Sequence, residues 1–229
     1  MPAKFQLHLI TEAKRSPADL AVAVAGALEG GADWVQLRDK SGSALAVFKQ
    51  AAELRRLCRA AGARLSINDR LDVALAVGAD GVHLAAQSLP VASAIEVAQP
   101  RLLVGRSVHA LDEAVEAAAA GAGYLTFGHV YPSTSKPGLP PRGVADLARI
   151  VEAVDCPVLA IGGVNLDNLA DVLATGCAGI AVISAILSSA NPREAAAELR
   201  AALDASPHQP KHPFPREVSH AAHRESATV

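Results

Sequence analysis

Aromatic side chains are scarce. Phe, Trp and Tyr make up 3% of the 229 residues, with a single Trp and two Tyr. Surfaces that bind single-stranded nucleic acid stack bases on such rings, so this composition argues against that function. Charge of one sign is lacking as well. Lys and Arg number 21 against 23 Asp and Glu, leaving a net charge of −2, and a near-balanced chain has no general hold on a polyanion. The three cysteines, Cys58, Cys156 and Cys177, are odd in number, far apart and set in apolar surroundings. They read as reduced core thiols, with no metal-ligand spacing among them. No run approaches the ~18 apolar residues of a membrane span. The opening MPAKFQLHLITEAK has no apolar signal core. A cytoplasmic location without membrane or nucleic-acid partners is therefore expected.

What is abundant is small and apolar. Hydrophobic residues reach 51%, with Ala and Val abundant, which suits helices packed closely on a sheet. Short apolar runs at 5–10, 34–38, 64–68, 81–84, 102–107, 124–127, 158–161 and 179–183 read as buried strands. Helical spacing fills the intervals. Ser16-Pro17-Ala18-Asp19 and Asn191-Pro192-Arg193-Glu194 carry the cap, proline and acidic residue of a helix start. Glycines 30, 31 and 62 read as helix stops. The segments GADWVQL, GADGVHL, GAGYLTF and GCAGIAV repeat a glycine loop before alternate strands. Eight even β/α units in about two hundred residues predict a single α/β domain, a (β/α)8 TIM barrel over 1–205. An open doubly wound sheet is the alternative. Residues 206–229, rich in Pro and His, predict a disordered tail.

In such a barrel the residues after each strand share one face. They include Gln36, Arg38, Asp39 and Lys40; Asn68 and Asp69; His83 and Ser88; Arg106, Ser107 and His109; His129 and Lys136; Gly162 and Gly163; and Ser184. The glycines at the seventh strand and the turn at the eighth suit a phosphate held by backbone N–H groups. Arg38, Lys40, Arg106 and Lys136 suit an anionic substrate. Asp69 either holds a divalent cation or pairs with an arginine. His8 and His109 read as structural, and His83 stands between support and site. His129 leaves an apolar strand straight into a polar loop, which predicts a proton-transfer group.

QLRDK, INDR, GVHL, GRSVH, AIGG and VISAI, in this order over about residues 5–190, resemble the family of thiamine phosphate synthases and TenI-type proteins. The resemblance implies a thiazole phosphate held by Gly162, Gly163, Ile183 and Ser184. Substrate contacts are expected from Arg38, Lys40, Asn68, Arg106, Ser107 and Lys136 at the barrel mouth. Synthases of this family carry Gly-Pro after the sixth strand and an aspartate in HLGQxD that binds magnesium. This chain has Gly128-His129 and, in HLAAQS, Ser88. FGHV and KPGLPPRG resemble the TenI-type tautomerases instead. The expectation is therefore a thiazole tautomerase with His129 as catalytic acid/base and no metal or other cofactor. The alternative is a synthase joining a pyrimidine methyl diphosphate to thiazole phosphate, with Mg2+ on Asp69. A non-catalytic thiazole or thiamine phosphate binding protein is the second alternative. The small-molecule partner is a phosphorylated thiazole, and a homodimer or higher homo-oligomer is expected.

Overall fold

Each copy of the glycine repeat turns the chain from a helix into a strand. Gly31, Gly78, Gly121 and Gly176 all have positive φ, between 61° and 97°, a region that glycine enters without a Cβ clash. In the first two copies the next-but-one residue is an aspartate that fastens the start of the preceding strand. Asp33 accepts the Leu7 N–H and Asp80 the Leu65 N–H, both at 2.8 Å. An arginine neutralises each: Arg200 on Asp33 and Arg55 on Asp80.

The computed structural model describes residues 4–12, 15–98 and 100–215. Its order is β1 (Gln6–Ile10), α1 (Pro17–Glu29), β2 (Trp34–Leu37), α2 (Ala44–Ala61), β3 (Arg64–Asn68), α3 (Leu71–Ala76), β4 (Gly81–Leu84), α4 (Val91–Ala98) and β5 (Leu103–Val108). It continues with α5 (Leu111–Ala119), β6 (Tyr124–Gly128), α6 (Gly143–Ala153), β7 (Val158–Ile161), α7 (Leu169–Ala174), β8 (Gly179–Val182), α8 (Ser184–Leu187) and α9 (Pro192–Asp204). Every strand pairs parallel with the next, and β8 returns to β1 with Leu7 opposite Ile180. This is the (β/α)8 barrel expected from the sequence, and closure excludes the open sheet.

The helix signals act as read. Ser16 and Asn191 accept the N–H three residues on, as does Ser43, which the sequence does not mark as a cap, and Gly62 closes α2 in the left-handed conformation. One detail differs. Gly30 stays right-handed and Gly31 takes the positive φ. Gly30 is needed for a different reason, because a Cβ there would lie 2.4 Å from the Arg193 carbonyl oxygen. The first helix thereby packs directly against α9.

The N-terminal end of the barrel is filled by rings. His8, Trp34, Tyr124 and Phe214 lie with centroids 5.1–6.5 Å apart. Gly105 makes room for them, since a Cβ there would sit 2.1 Å from the Tyr124 ring. Phe214 comes from the segment after α9. The disordered tail expected from residue 206 therefore needs correction over 206–215. That stretch crosses the barrel's end, with the Lys211 N–H on the Gly176 carbonyl (2.9 Å), Lys211 Nζ on Glu152 (2.8 Å) and an Arg64 N–H on the Pro215 carbonyl (3.2 Å). Phe214 is 7% exposed, and burying a phenyl ring outweighs the loss of freedom in a short segment already stiffened by prolines. The rest of the expected tail, 216–229, lies outside the described residues.

Among the described residues no helix is long and apolar enough to cross a membrane.

Candidate active site

Parallel strands of a barrel all end on one face, and their last residues open there into loops. A cavity of about 260 Å³ occupies that face. Its floor is polar. Gln36 donates to Asn68 Oδ1 at 3.2 Å, and Asn68 donates to Asp69 Oδ2 at 2.6 Å. His83 meets Ser107 Oγ at 2.8 Å through Nε2, and the Tyr124 hydroxyl at 3.0 Å through Nδ1. Burial, with the Arg106 charge adding to it and Asp69 opposing, pushes the His83 pKa down to about 4. A neutral imidazole results, with one nitrogen donating and the other accepting. His83 thus links the cavity floor to the aromatic end of the barrel.

The rim is cationic. Arg38, Lys40 and Lys136 line the cavity, and no Asp or Glu does among the described residues. Asp39, between two of these cations, is turned into its own loop. There it accepts the N–H groups of Ser41 and Gly42, both at 2.9 Å. Those bonds hold its carboxyl below the usual range, the Ser41 N–H contributing most.

The opposite wall comes from the β7 and β8 ends. Gly162, Gly163, Ile183 and Ser184 all line it, and the Ser184 and Ala185 amides that open α8 have no intrahelical acceptor. Gly162 and Gly163 have φ of 94° and 68°. Both back onto the β6–α6 loop. A Cβ on Gly162 would lie 2.3 Å from His129 Cβ, and one on Gly163 2.4 Å from the Pro132 carbonyl oxygen. Loop packing therefore demands these glycines independently of any anion.

Of the residues expected at the site, Arg38, Lys40, Asn68, Ser107, His129, Lys136, Gly162, Gly163, Ile183 and Ser184 share this cavity. Arg106 does not line it. Its guanidinium donates to the Ala85 carbonyl at 2.6 Å and so braces the β4–α4 loop. Asp69 does not line the cavity either; half-buried beside Asn68, it accepts the Ala85 N–H at 3.1 Å and the Ser88 hydroxyl on one oxygen. Among the described residues the second oxygen meets only Asn68 and keeps a free lone pair. No group of three or more His, Cys, Asp or Glu suited to a metal occurs among the described residues. This donor set suits only a magnesium ion that arrives on substrate phosphates, with Asp69 as its one carboxylate. His109 lines the cavity and bonds to the Gly128 carbonyl at 2.7 Å, while His8 is buried at the far end. Ser133 and Ser135, in the polar loop beside Lys136, also line the cavity, and so does Thr126, which the sequence does not mark. Thr126 lies inside an apolar strand, where only the inward face of the pleat would have marked it.

Fold and rim together define a (β/α)8 barrel with an anion-attracting mouth. Comparison with known proteins narrows this. The model of the TMP-TENI family, thiamine monophosphate synthase, matches residues 7–186, and the chain belongs to that family. The putative thiamine-phosphate synthase of Geobacter sulfurreducens is 45% identical over 201 residues, covering 87% of this chain and 94% of that protein. The thiamine-phosphate synthase of Pyrococcus horikoshii is 42% identical, covering 88% and 96%. The solved structure of a thiamine phosphate pyrophosphorylase from Pyrococcus furiosus aligns with a TM-score of 0.81 at 42% identity, covering 88% and 96%.

These relatives overturn the expected thiazole tautomerase. That expectation rested on His129 and Ser88. The likeness to proteins named synthases runs through nearly their whole length. His129 also has a structural partner: its Nε2 lies 3.2 Å from the Leu139 carbonyl. The chain is an enzyme of the thiamine biosynthesis family.

Proposed function

We propose that this protein is a thiamine-phosphate synthase, a transferase that joins a pyrimidine methyl diphosphate to a thiazole phosphate. The observation that carries this is 42–45% identity to proteins of that name across 94–96% of their length. The cavity chemistry supports it. Arg38, Lys40 and Lys136 have no carboxylate partner among the described residues and are free to receive a diphosphate. Charge-assisted bonds of this kind are the strong ones. The thiazole phosphate sits on the opposite wall, against Gly162, Gly163, Ile183 and Ser184. In the reaction the bond between the pyrimidine methylene and the diphosphate oxygen breaks, and its electron pair leaves with the diphosphate. The thiazole ring nitrogen supplies the pair for the new C–N bond. The three cations stabilise the charge that develops on the leaving group, while Gln36, Asn68 and Ser107 orient the rings between them. Magnesium, when carried in by the diphosphate and held at Asp69, supplies further charge neutralisation.

The test is product formation by the purified protein from the two substrates, with magnesium and with chelator. Thiamine phosphate is expected in the first case and a large loss in the second. No product under either condition removes the synthase reading. Undiminished turnover in chelator removes magnesium and Asp69 from it.

A further inference from the structure

The ten residues 132–141 carry Ser133, Ser135 and Lys136 over the cavity, and little ties them down. At the base of the loop the Arg142 N–H bonds to the His129 carbonyl and the Gly143 N–H to the Val130 carbonyl, both at 3.0 Å. Among the described residues, a single hydrogen bond joins residues 132–141 to the barrel, the one between His129 Nε2 and the Leu139 carbonyl. A carbonyl oxygen only accepts, so Nε2 carries the proton. From Leu139 the bonding runs onward. The Leu139 N–H points to the Lys136 carbonyl at 3.4 Å, and the Lys136 N–H donates to the Ser133 carbonyl at 3.0 Å. His129 is only 9% exposed, and its Cα and Cβ pack on Gly162 with no room for a Cβ between them.

We infer that His129 is a positioning residue: its ring N–H tethers the β6–α6 loop through Leu139 and so holds Lys136 over the cavity. Both the neutral Nε2–H form and the imidazolium keep this donor, so the tether does not switch with protonation. Gln at 129 retains an N–H donor at a similar reach, and Ala does not.

The inference rests on the synthase reading only for its activity arm. Hydrogen exchange of the ligand-free protein reads the tether directly. In His129→Ala the Lys136 and Leu139 amides should exchange at least ~10-fold faster, with β-strand amides unchanged, and His129→Gln should restore most of the protection. Binding of inorganic pyrophosphate should weaken ~10-fold in His129→Ala and in Lys136→Ala. The double variant should be no worse than Lys136→Ala, because one residue acts through the other. In turnover, His129→Ala should raise KM for the diphosphate substrate more than it lowers kcat, with an unchanged pH profile. Equal loop exchange in native and His129→Ala protein would overturn the tether. So would a His129→Gln protein as slow as His129→Ala while its loop amides stay protected. If the native protein makes no thiamine phosphate but the exchange and pyrophosphate results are as stated, the synthase reading fails and the tether stands.

Discussion

The two ends of the barrel are built from the same eight strands and have opposite character. The C-terminal end is open, lined by amides, hydroxyls and three cations. The N-terminal end is closed by three aromatic rings and an imidazole, one ring borrowed from the segment after α9. The strands therefore divide their inward positions between reactivity at one end and cohesion at the other. A substitution should reveal its end by what it changes.

The largest effect is expected at the open end. Arg38→Ala or Lys136→Ala removes a charge with no carboxylate partner among the described residues. The loss of one charged hydrogen bond to the diphosphate, about 1.5–3 kcal/mol, should lower kcat/KM by roughly 10–150-fold. Stability should stay within about 0.5 kcal/mol. A denaturation midpoint that moves as much as the activity would abolish the division between the ends. Ending the chain after Ala205 should do the reverse. Losing the buried Phe214 and its bonds should cost about 2–3 kcal/mol, or a Tm drop of roughly 5–10 °C at this size, with kcat at 25 °C little changed. An unmoved Tm would mean that the strap lies on the barrel without stabilising it.

Acid should probe the link between the ends. His83, at about 4 in the folded protein, is near 6.5 when unfolded. Between these values the unfolded chain binds the extra proton, so stability rises with pH. The His83 contribution is full above 6.5 and is lost as pH falls towards 4, about 2 kcal/mol of it by pH 5. Burial lowers His8 in the same direction. Urea midpoints at pH 7.5 and pH 5 measure the slope, and His83→Gln should flatten it; an equal slope in the variant would detach His83 from the effect. The smallest effect concerns the thiols. Burial pushes Cys58 up to about 12 and Cys156 and Cys177 up to about 11. A disulfide reagent at pH 7.5 should label the folded protein far more slowly than the unfolded chain. Fast labelling would show that the wall around them opens.

The barrel was legible because its signals are local. Glycine stops, capping residues and apolar runs each act within a few residues, and the Gly31, Gly78, Gly121 and Gly176 repeat sets the strand starts. Most of the cavity followed from strand ends alone. What escaped depends on direction and partners. Nothing near Arg106 reveals that it turns sideways to the Ala85 carbonyl. One phenylalanine among prolines and histidines does not announce that it plugs a barrel. His129 misled because imidazole is able to move protons, whereas its partner here is a backbone carbonyl. Residue type sets what a side chain can do, and the neighbour selects among those options.

The strap across the closed end has a practical consequence. Pro215 lies against Arg64, which opens β3 at the face opposite the cavity. Cargo joined directly after Pro215 would leave the barrel on that far side. The chain therefore offers a ready handle for surface attachment or for fusion into larger assemblies, with its entrance turned outward. The join itself must spare Phe214, or the fastening that makes the handle firm is lost.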